Sequence, residues 1–353
     1  MKRPYRARPS AEDRFGAASR RRDLVARRFD RLLVADLEDV SWLLGSYEPD
    51  RNAWLWLASG RWTYVSDRAR AGPPWAAVDA ARIGELATLV GSRDFSVSGK
   101  PPLLPGDLRA LCLESGDVLA AVRSTKDAVE QALVADNVAR LGAALDAVAP
   151  LVHDGCNELE LWRALELALG SPDGEPVEWA GNLSSGPRTT EPDPHPMDRA
   201  VGAGEPVLLD AYPRIGGYHA DLTRTWAYGE LQPRLGSAFA GVLAALEVVA
   251  DHLRPGAVGA ELDALARREL ERRGQPSDFP HHTGHGFGVK QQEPPWLRPG
   301  STDTIPSGCL VAVEPGCYLP DVGGVRLEQD FLVLADGTLE LGPPVASFKL
   351  SPA

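Results

Sequence analysis

The spacing of apolar positions changes period along the chain. Asp30–Ala35 (DRLLVA) and Ala53–Ala58 (AWLWLA) are apolar runs of strand length. Val129, Leu133, Val134, Val138, Leu141, Leu145 and Val148 recur at helical spacing and predict a long helix that Pro150 ends. Ser124, with Asp127 three residues on, is its expected capping box. A second helix is expected from about Asn157, with Glu160 at the capping-box position and Leu161, Trp162, Leu165, Ala168 and Leu169 as its stripe. Two more are predicted over 234–252, before Pro255-Gly256, and over 261–273, ending at Gly274. Strand-like segments cover 206–210, 219–228, 309–315 and 325–334.

Helices among antiparallel-looking strands predict an α+β catalytic domain over residues 119–353. Residues 30–118 read as a smaller mixed domain, punctuated near its end by the Pro/Gly-rich stretch Gly99–Gly106. The chain length of 353 residues agrees with two domains rather than one core.

Charge modifies this picture at one end. Residues 1–29 hold ten Lys/Arg and three Asp/Glu, which leaves 27 basic and 46 acidic residues in the other 324. A frayed, solvated basic tail is expected there. Arg20-Arg21-Arg22 resembles a twin-arginine signal, but Asp23-Leu24-Val25-Ala26-Arg27-Arg28 is no apolar export core. The net charge of -12 argues against a nucleic-acid partner. No stretch reads as the ~20 apolar residues of a membrane span, so no membrane partner is expected. Cys112, Cys156, Cys309 and Cys317 have neither C-x-x-C nor zinc-finger spacing and read as buried thiols of a cytoplasmic protein.

Candidate chemistry gathers in four places. Asp210 and Asp221 end or lie in short strands, with Gly216-Gly217 able to reverse the chain between them. A hairpin would set the two carboxylates side by side, where they repel unless a cation or proton intervenes; two surface acids is the plainer reading. In His281-His282-Thr283-Gly284-His285-Gly286-Phe287-Gly288, three imidazoles and three glycines suggest backbone packed against a ligand, or a polar loop. Glu314 ends an apolar strand before Pro315-Gly316 and is either a ligand or a strand-end acid. Arg326 and Glu328 are two apart, hence on one strand face, which suits an Arg orienting a ligand carboxylate. Together Asp210, Asp221, His285, Glu314 and Glu328 form a hard, oxygen-rich set suited to Mn²⁺, Co²⁺ or Zn²⁺. Four carboxylates match the charge of two divalent ions about 3.5–4 Å apart.

On these motifs the chain resembles the metallopeptidases that include proline dipeptidases, aminopeptidases P and methionine aminopeptidases, which share the pita-bread fold and a dinuclear centre. Further matching pieces are Asp39–Gly45 (DVSWLLG), Ala121–Lys126 (AVRSTK), Asp193-Pro194-His195, Glu314–Tyr318 (EPGCY) and Gly324–Glu328 (GVRLE). The creatinase-type N-terminal part favours the Xaa-Pro dipeptidase and aminopeptidase P branch. The resemblance implies two divalent ions, Mn²⁺ first, with Co²⁺ or Zn²⁺ as alternatives. It makes Asp210, Asp221, His285, Glu314 and Glu328 the ligands, with Asp221 and Glu328 bridging. It gives Glu314 the proton of the attacking hydroxide, His281 and His195 the substrate side, Arg326 and Thr223 supporting positions, and Tyr318 either a place near the site or a packing role. A homodimer is implied as well.

One departure stands out. After the ligand histidine the family continues G-x-G-x-E-x-H-E-x-P, whereas here Lys290 replaces an acid and Gln292 stands where a catalytic histidine is expected. Glutamine donates a hydrogen bond but carries no proton. Gln292 therefore either holds the intermediate by hydrogen bonding or marks a pocket retuned for a non-peptide C–N substrate, as in creatinase and ectoine-hydrolase relatives. Lys290 meets a negative substrate group or is a solvated loop lysine. The expected function is metal-dependent hydrolysis of a small peptide or amide, foremost a Xaa-Pro dipeptide. The alternatives are that non-peptide hydrolase and a non-catalytic binding protein on the same fold.

Overall fold

The computed structural model describes residues 8–45, 54–66, 79–81, 95–99, 112–170, 174–175, 177–230, 232–345 and 349–350. Most of the Pro/Gly-rich stretch 99–106 lies outside them. The chain divides into two units, Ala7–Arg123 and Ser124–Ala353, five residues beyond the expected division.

Residues 11–28 of the basic N-terminal segment form a helix rather than a frayed tail. Ser10 accepts from the Asp13 N–H, and the Asp13 carboxylate accepts from the Ser10 N–H, a capping box that starts helix α1 (Ala11–Arg28). Ala17, Ala18 and Val25 are buried on one face. Arg21 and Arg22 are buried too, because each guanidinium donates to a main-chain carbonyl, of Trp42 and Leu43 respectively, at the end of α2 (Leu37–Leu44). Charge count alone hides this, since an arginine's apolar stem packs while its head finds carbonyls.

The rest of this unit is a sheet of β1 (Arg31–Val34), β2 (Trp54–Ala58), β3 (Arg61–Val65), β4 (Asp79–Ala81), β5 (Phe95–Ser98) and β6 (Cys112–Gly116), followed by the short α3 (Ala120–Arg123). The sheet order is β4-β3-β2-β1-β5-β6. Leu33, Trp54, Trp56, Val65, Phe95 and Val97 form its core.

In the second unit the long helix is α4 (Ala128–Val148), and its cap is Asp127 rather than Ser124. Asp127 accepts from Val129 and Glu130, and Glu130 returns to the Asp127 N–H; the Ser124 hydroxyl instead donates to the Pro294 carbonyl. The box sits three residues later because Glu130 closes a D-x-x-E pair with Asp127, while the Ser124 hydroxyl is committed to Pro294. Helix α5 (Glu158–Leu169) begins at the Asn157 cap. Helices α6 (Pro233–His252) and α7 (Gly259–Arg272) fall where expected. Helix α6 corrects one expectation: among the described residues it is long and apolar enough to cross a membrane. Leu235, Ala238, Val242, Ala245, Leu246 and Val249 along it are buried in the main core with Leu262, Ala266 and Leu270 of α7, which makes it an internal helix of this unit.

The strands of this unit are β7 (Val177–Glu178), β8 (Gly181–Ser185), β9 (Pro206–Ala211), β10 (Arg214–Ile215), β11 (Tyr218–His219), β12 (Leu222–Tyr228), β13 (Gly284–Gly286), β14 (Glu293–Leu297), β15 (Cys309–Val313), β16 (Gly316–Leu319), β17 (Gly323–Arg326), β18 (Gln329–Leu334), β19 (Gly337–Leu341) and β20 (Lys349–Leu350). They form sheets ordered β20-β12-β9-β8, β14-β13-β15-β18-β19, β11-β10-β7 and β16-β17. Helices and largely antiparallel strands give the expected α+β class. The predicted strand 325–334 is interrupted: β17 ends at Arg326 and β18 starts at Gln329. Arg326 and Glu328 therefore do not share a strand face. The thiols of Cys156, Cys309 and Cys317 are free and buried.

Candidate metal centre

Two antiparallel strands carry the first pair of acids. In the β9–β12 register Asp210 faces Thr223 and Ala211 faces Leu222, so Asp221 lies one residue before the ladder. The chain between them makes a small hairpin of its own, Ile215 opposite Tyr218, with Gly216 and Gly217 at φ 58° and 90°. The Asn137 amide on α4 donates to the Ile215 and Tyr218 carbonyls and pins that tip.

β13 positions the histidine. His285 faces Trp296 on β14 and Ala312 on β15. Its neighbours are glycine for a reason other than ligand access. A Cβ on Gly284 would lie 2.2 Å from the Ala312 oxygen, and one on Gly286 would lie 2.5 Å from the Pro294 oxygen. The glycines admit neighbouring backbone, which lets a three-residue strand pair on both edges. The loop before β13 is tied to α7: Arg267 donates to the Ser277, Phe279 and His281 carbonyls and pairs with Asp263, which accepts from the Thr283 hydroxyl.

The third and fourth carboxylates lie at strand ends. The Glu314 N–H donates to the Thr283 carbonyl, just beyond β15. The Glu328 N–H donates to the Thr223 carbonyl, and the Thr223 hydroxyl donates to Glu328 Oε2 at 2.8 Å. These bonds to the β9–β12 sheet fall in the gap between β17 and β18.

The groups converge. His285 Nδ1 donates to the Gly286 carbonyl at 2.9 Å, which turns the Nε2 lone pair toward Asp221 Oδ2 at 3.7 Å and Glu314 Oε1 at 3.5 Å. Asp221, His285 and Glu328 form one group able to hold a cation, and His282, His285 and Glu314 form another. Asp210 joins neither group of three among the described residues; Arg326 Nη2 donates to its Oδ2 at 2.7 Å. Arg326 also donates to the Tyr318 hydroxyl at 2.9 Å. His281 lies on that side, Nδ1 donating to the His282 carbonyl and Nε2 2.7 Å from the Tyr318 hydroxyl. A Cβ at Gly316 would lie 2.9 Å from His281 Nε2, so glycine there keeps this contact open.

Burial and like charge raise the Asp210, Asp221 and Glu328 carboxyls above the usual range, Asp221 and Glu328 strongly. Burial pushes Glu314 the same way, but His282, His281 and His285 beside it outweigh that and hold it at about 2. Burial lowers His281 to about 4 and lowers His285 as well, so both rings are neutral, the form that ligates metal. Buried, mutually repelling carboxylates around a neutral imidazole with a free lone pair fit a divalent cation.

Two of the expected site residues lie at the surface. His195 is exposed, with its carbonyl taken by Arg188. Gln292 is exposed, and Gln291 reaches Asp221 Oδ2 instead, at 3.4 Å. Three residues join unforeseen. His282 approaches Glu314 Oε1 to 3.0 Å, Gln291 contacts Asp221, and Asp330 Oδ2 accepts from the Asp221 N–H. Asp330 carries the signal that singled out Glu314, an acid within an apolar strand, and His282 lies inside the histidine run itself. A cleft of about 680 Å³ opens beside His281 and His282, walled by Phe279, Pro280, Arg298 and Pro299. A cleft of about 740 Å³ in the N-terminal unit holds none of the candidate residues.

Comparison with known proteins places this geometry. The profile of metallopeptidase family M24 matches residues 133–335. The uncharacterized peptidase YqhT of Bacillus subtilis is 31% identical over 227 residues, which cover 64% of this chain and 63% of YqhT. The chain thus spans less than two thirds of that relative. A solved Xaa-Pro dipeptidase from Bacillus anthracis superposes with a TM-score of 0.79 over 97% of this chain and 100% of that one, at 21% identity. The prolidase from Pyrococcus horikoshii OT3 gives 0.81 over 94% and 99%, also at 21%. The fold is the pita-bread fold of these structures.

Proposed function

Because the chain belongs to metallopeptidase family M24, we propose that it hydrolyses a short peptide, foremost a Xaa-Pro dipeptide, with two divalent metal ions. The observation that carries this reading is the His285 ring, its Nδ1 committed to a carbonyl and its Nε2 turned to Asp221 and Glu314. The similarity to a Xaa-Pro dipeptidase and a prolidase supports the substrate class.

When bound, the ions supply a nucleophilic hydroxide at neutral pH and polarise the scissile carbonyl. Asp210, Asp221, His285, Glu314 and Glu328 would hold them. Thr223 fixes one Glu328 oxygen, and Arg326 fixes one of Asp210. Glu314, ionised through the working range, receives the proton of the attacking water. His281, which lines the cleft, and Tyr318, 2.7 Å from it, steady the substrate. Mn²⁺ is the first choice of metal, with Co²⁺ and Zn²⁺ as alternatives.

Metal-stripped protein should be inactive on a panel of Xaa-Pro dipeptides and regain turnover with Mn²⁺ or Co²⁺. Turnover indifferent to chelation would sink the reading. The exposed Gln292 favours a second reading, a non-peptide C–N substrate on the same centre. Small N-acyl amino acids and amidines in the same panel separate the two, and robust Xaa-Pro cleavage removes the second.

A further inference from the structure

His282 lies outside the ligand set that the family resemblance implies, yet its ring is held as a ligand would be. Its Nε2 is buried and 3.0 Å from Glu314 Oε1, while making no hydrogen bond among the described residues. The approach is close but off the line of a hydrogen bond. The same Glu314 oxygen lies 3.5 Å from His285 Nε2. Two donors on a tetrahedral ion with bonds of about 2.0–2.1 Å lie about 3.3–3.4 Å apart, so both separations fit one ion among the three side chains. The His282 ring stands edge-on to His285, centroids 5.1 Å apart, and to Trp296 at 5.4 Å, which fixes its plane. Trp296 faces His285 across the strand pair and so walls the same side of the sheet.

We propose that His282 is an additional nitrogen ligand of this centre, binding the ion that His285 and Glu314 share and shifting the metal preference of this chain toward Zn²⁺ and away from Mn²⁺. Two imidazoles and one carboxylate are a recurrent zinc set, whereas carboxylates with a single imidazole suit Mn²⁺ equally well. The inference rests on the metal-centre reading above. It qualifies the choice of Mn²⁺ there.

The test is metal binding, not turnover. Calorimetric titration of metal-free protein with Zn²⁺ and Mn²⁺ should show His282→Gln weakening Zn²⁺ at least tenfold and Mn²⁺ less than threefold. The visible Co²⁺ spectrum should shift between wild type and variant. Equal losses for both metals, no loss for either, or an unchanged Co²⁺ spectrum would overturn the proposal and leave His282 as an ion-pair partner of Glu314. X-ray absorption on wild-type protein with one equivalent of Zn²⁺ decides the matter without a variant, should His282→Gln fail to fold. Two imidazoles per zinc support the proposal, and one overturns it. Wild-type protein that binds no transition metal defeats the metal-centre reading itself. Wild type that binds zinc through one imidazole defeats only this inference.

Discussion

Arg326 donates to Asp210 Oδ2 at 2.7 Å, with side chains only 14% and 12% exposed, and so supplies the positive charge nearest this carboxylate. It also lies 3.9 Å from Glu314 Oε2, so one guanidinium serves two acids of the centre. Burial pushes Asp210 up and Arg326 pulls it back. A bound divalent ion and Arg326 therefore neutralise the same charge. Arg326→Gln should lower the melting temperature of metal-free protein more than that of metal-loaded protein. Removing one partner of a buried pair costs about 3–5 kcal/mol where nothing replaces it. Equal shifts with and without metal would show that Arg326 acts through packing alone.

Asp221 and Glu328 point to a trade between binding and stability. Both carboxyls are raised well above their ordinary values, first by burial and then by neighbouring acids: Glu328 and Asp210 for Asp221, Glu314 and Asp210 for Glu328. A group raised in the fold binds protons more readily there than in the unfolded chain, so its ionisation destabilises the fold above the unfolded value. Asp221→Asn and Glu328→Gln should accordingly melt at a higher temperature than wild type at pH 7.5 in a chelator, while losing metal affinity. Melting curves with and without EDTA check this. Variants less stable than wild type in EDTA would contradict it.

His281 gives the opposite sign. Burial holds it at about 4, against an ordinary value near 6.5. The unfolded chain takes up the proton first as pH falls, so stability is full above about 6.5 and is lost between 6.5 and 4. The loss attributable to this ring is up to about 3 kcal/mol. In metal-free protein, His281→Gln should narrow the difference between urea unfolding at pH 7 and at pH 4.5. A difference as large as that of wild type would remove His281 from the acid sensitivity.

How much of this was legible beforehand follows from how local each signal is. Asp210, Asp221, His285 and Glu314 each sit in a short run whose own neighbours place them: a glycine turn, a glycine-flanked histidine, a Pro-Gly stop. Helices α6 and α7 were equally readable from period and punctuation. Glu328 sits where the sequence reads as one continuous strand. Val325–Leu334 looks like one strand, and bonds linking Arg326 and Glu328 to Thr223, Arg224 and Thr225, about a hundred residues earlier, accompany its break. Helix α1 was hidden by its charge, since the carbonyls that accept Arg21 and Arg22 belong to Trp42 and Leu43. At Gln292 a motif register predicts a chain position but not its orientation. Gln291, its neighbour, makes the contact with Asp221, in a turn that follows a register shift between His285 and Gly286.

The Lys126–Glu293 pair supports the ligand strand from behind. Lys126 Nζ donates to Glu293 Oε1 at 2.7 Å, and the side chains are 1% and 0% exposed. Glu293 opens β14 opposite Gly286, next to His285, and a Cβ at Gly288 would lie 2.9 Å from Lys126 Cε. The pair is thus built into the turn that carries the strand from β13 to β14. Lys126→Met removes the ammonium from a buried carboxylate and Glu293→Gln removes the charge from the partner of a buried ammonium; each should cost up to about 3–5 kcal/mol. The double variant removes both charges of the pair and should be more stable than Lys126→Met alone. The coupling from such a cycle, read by urea unfolding, should exceed about 1 kcal/mol, as for contacting groups. Additive losses would mean that the two charges are solvated separately and that β13 does not depend on their contact.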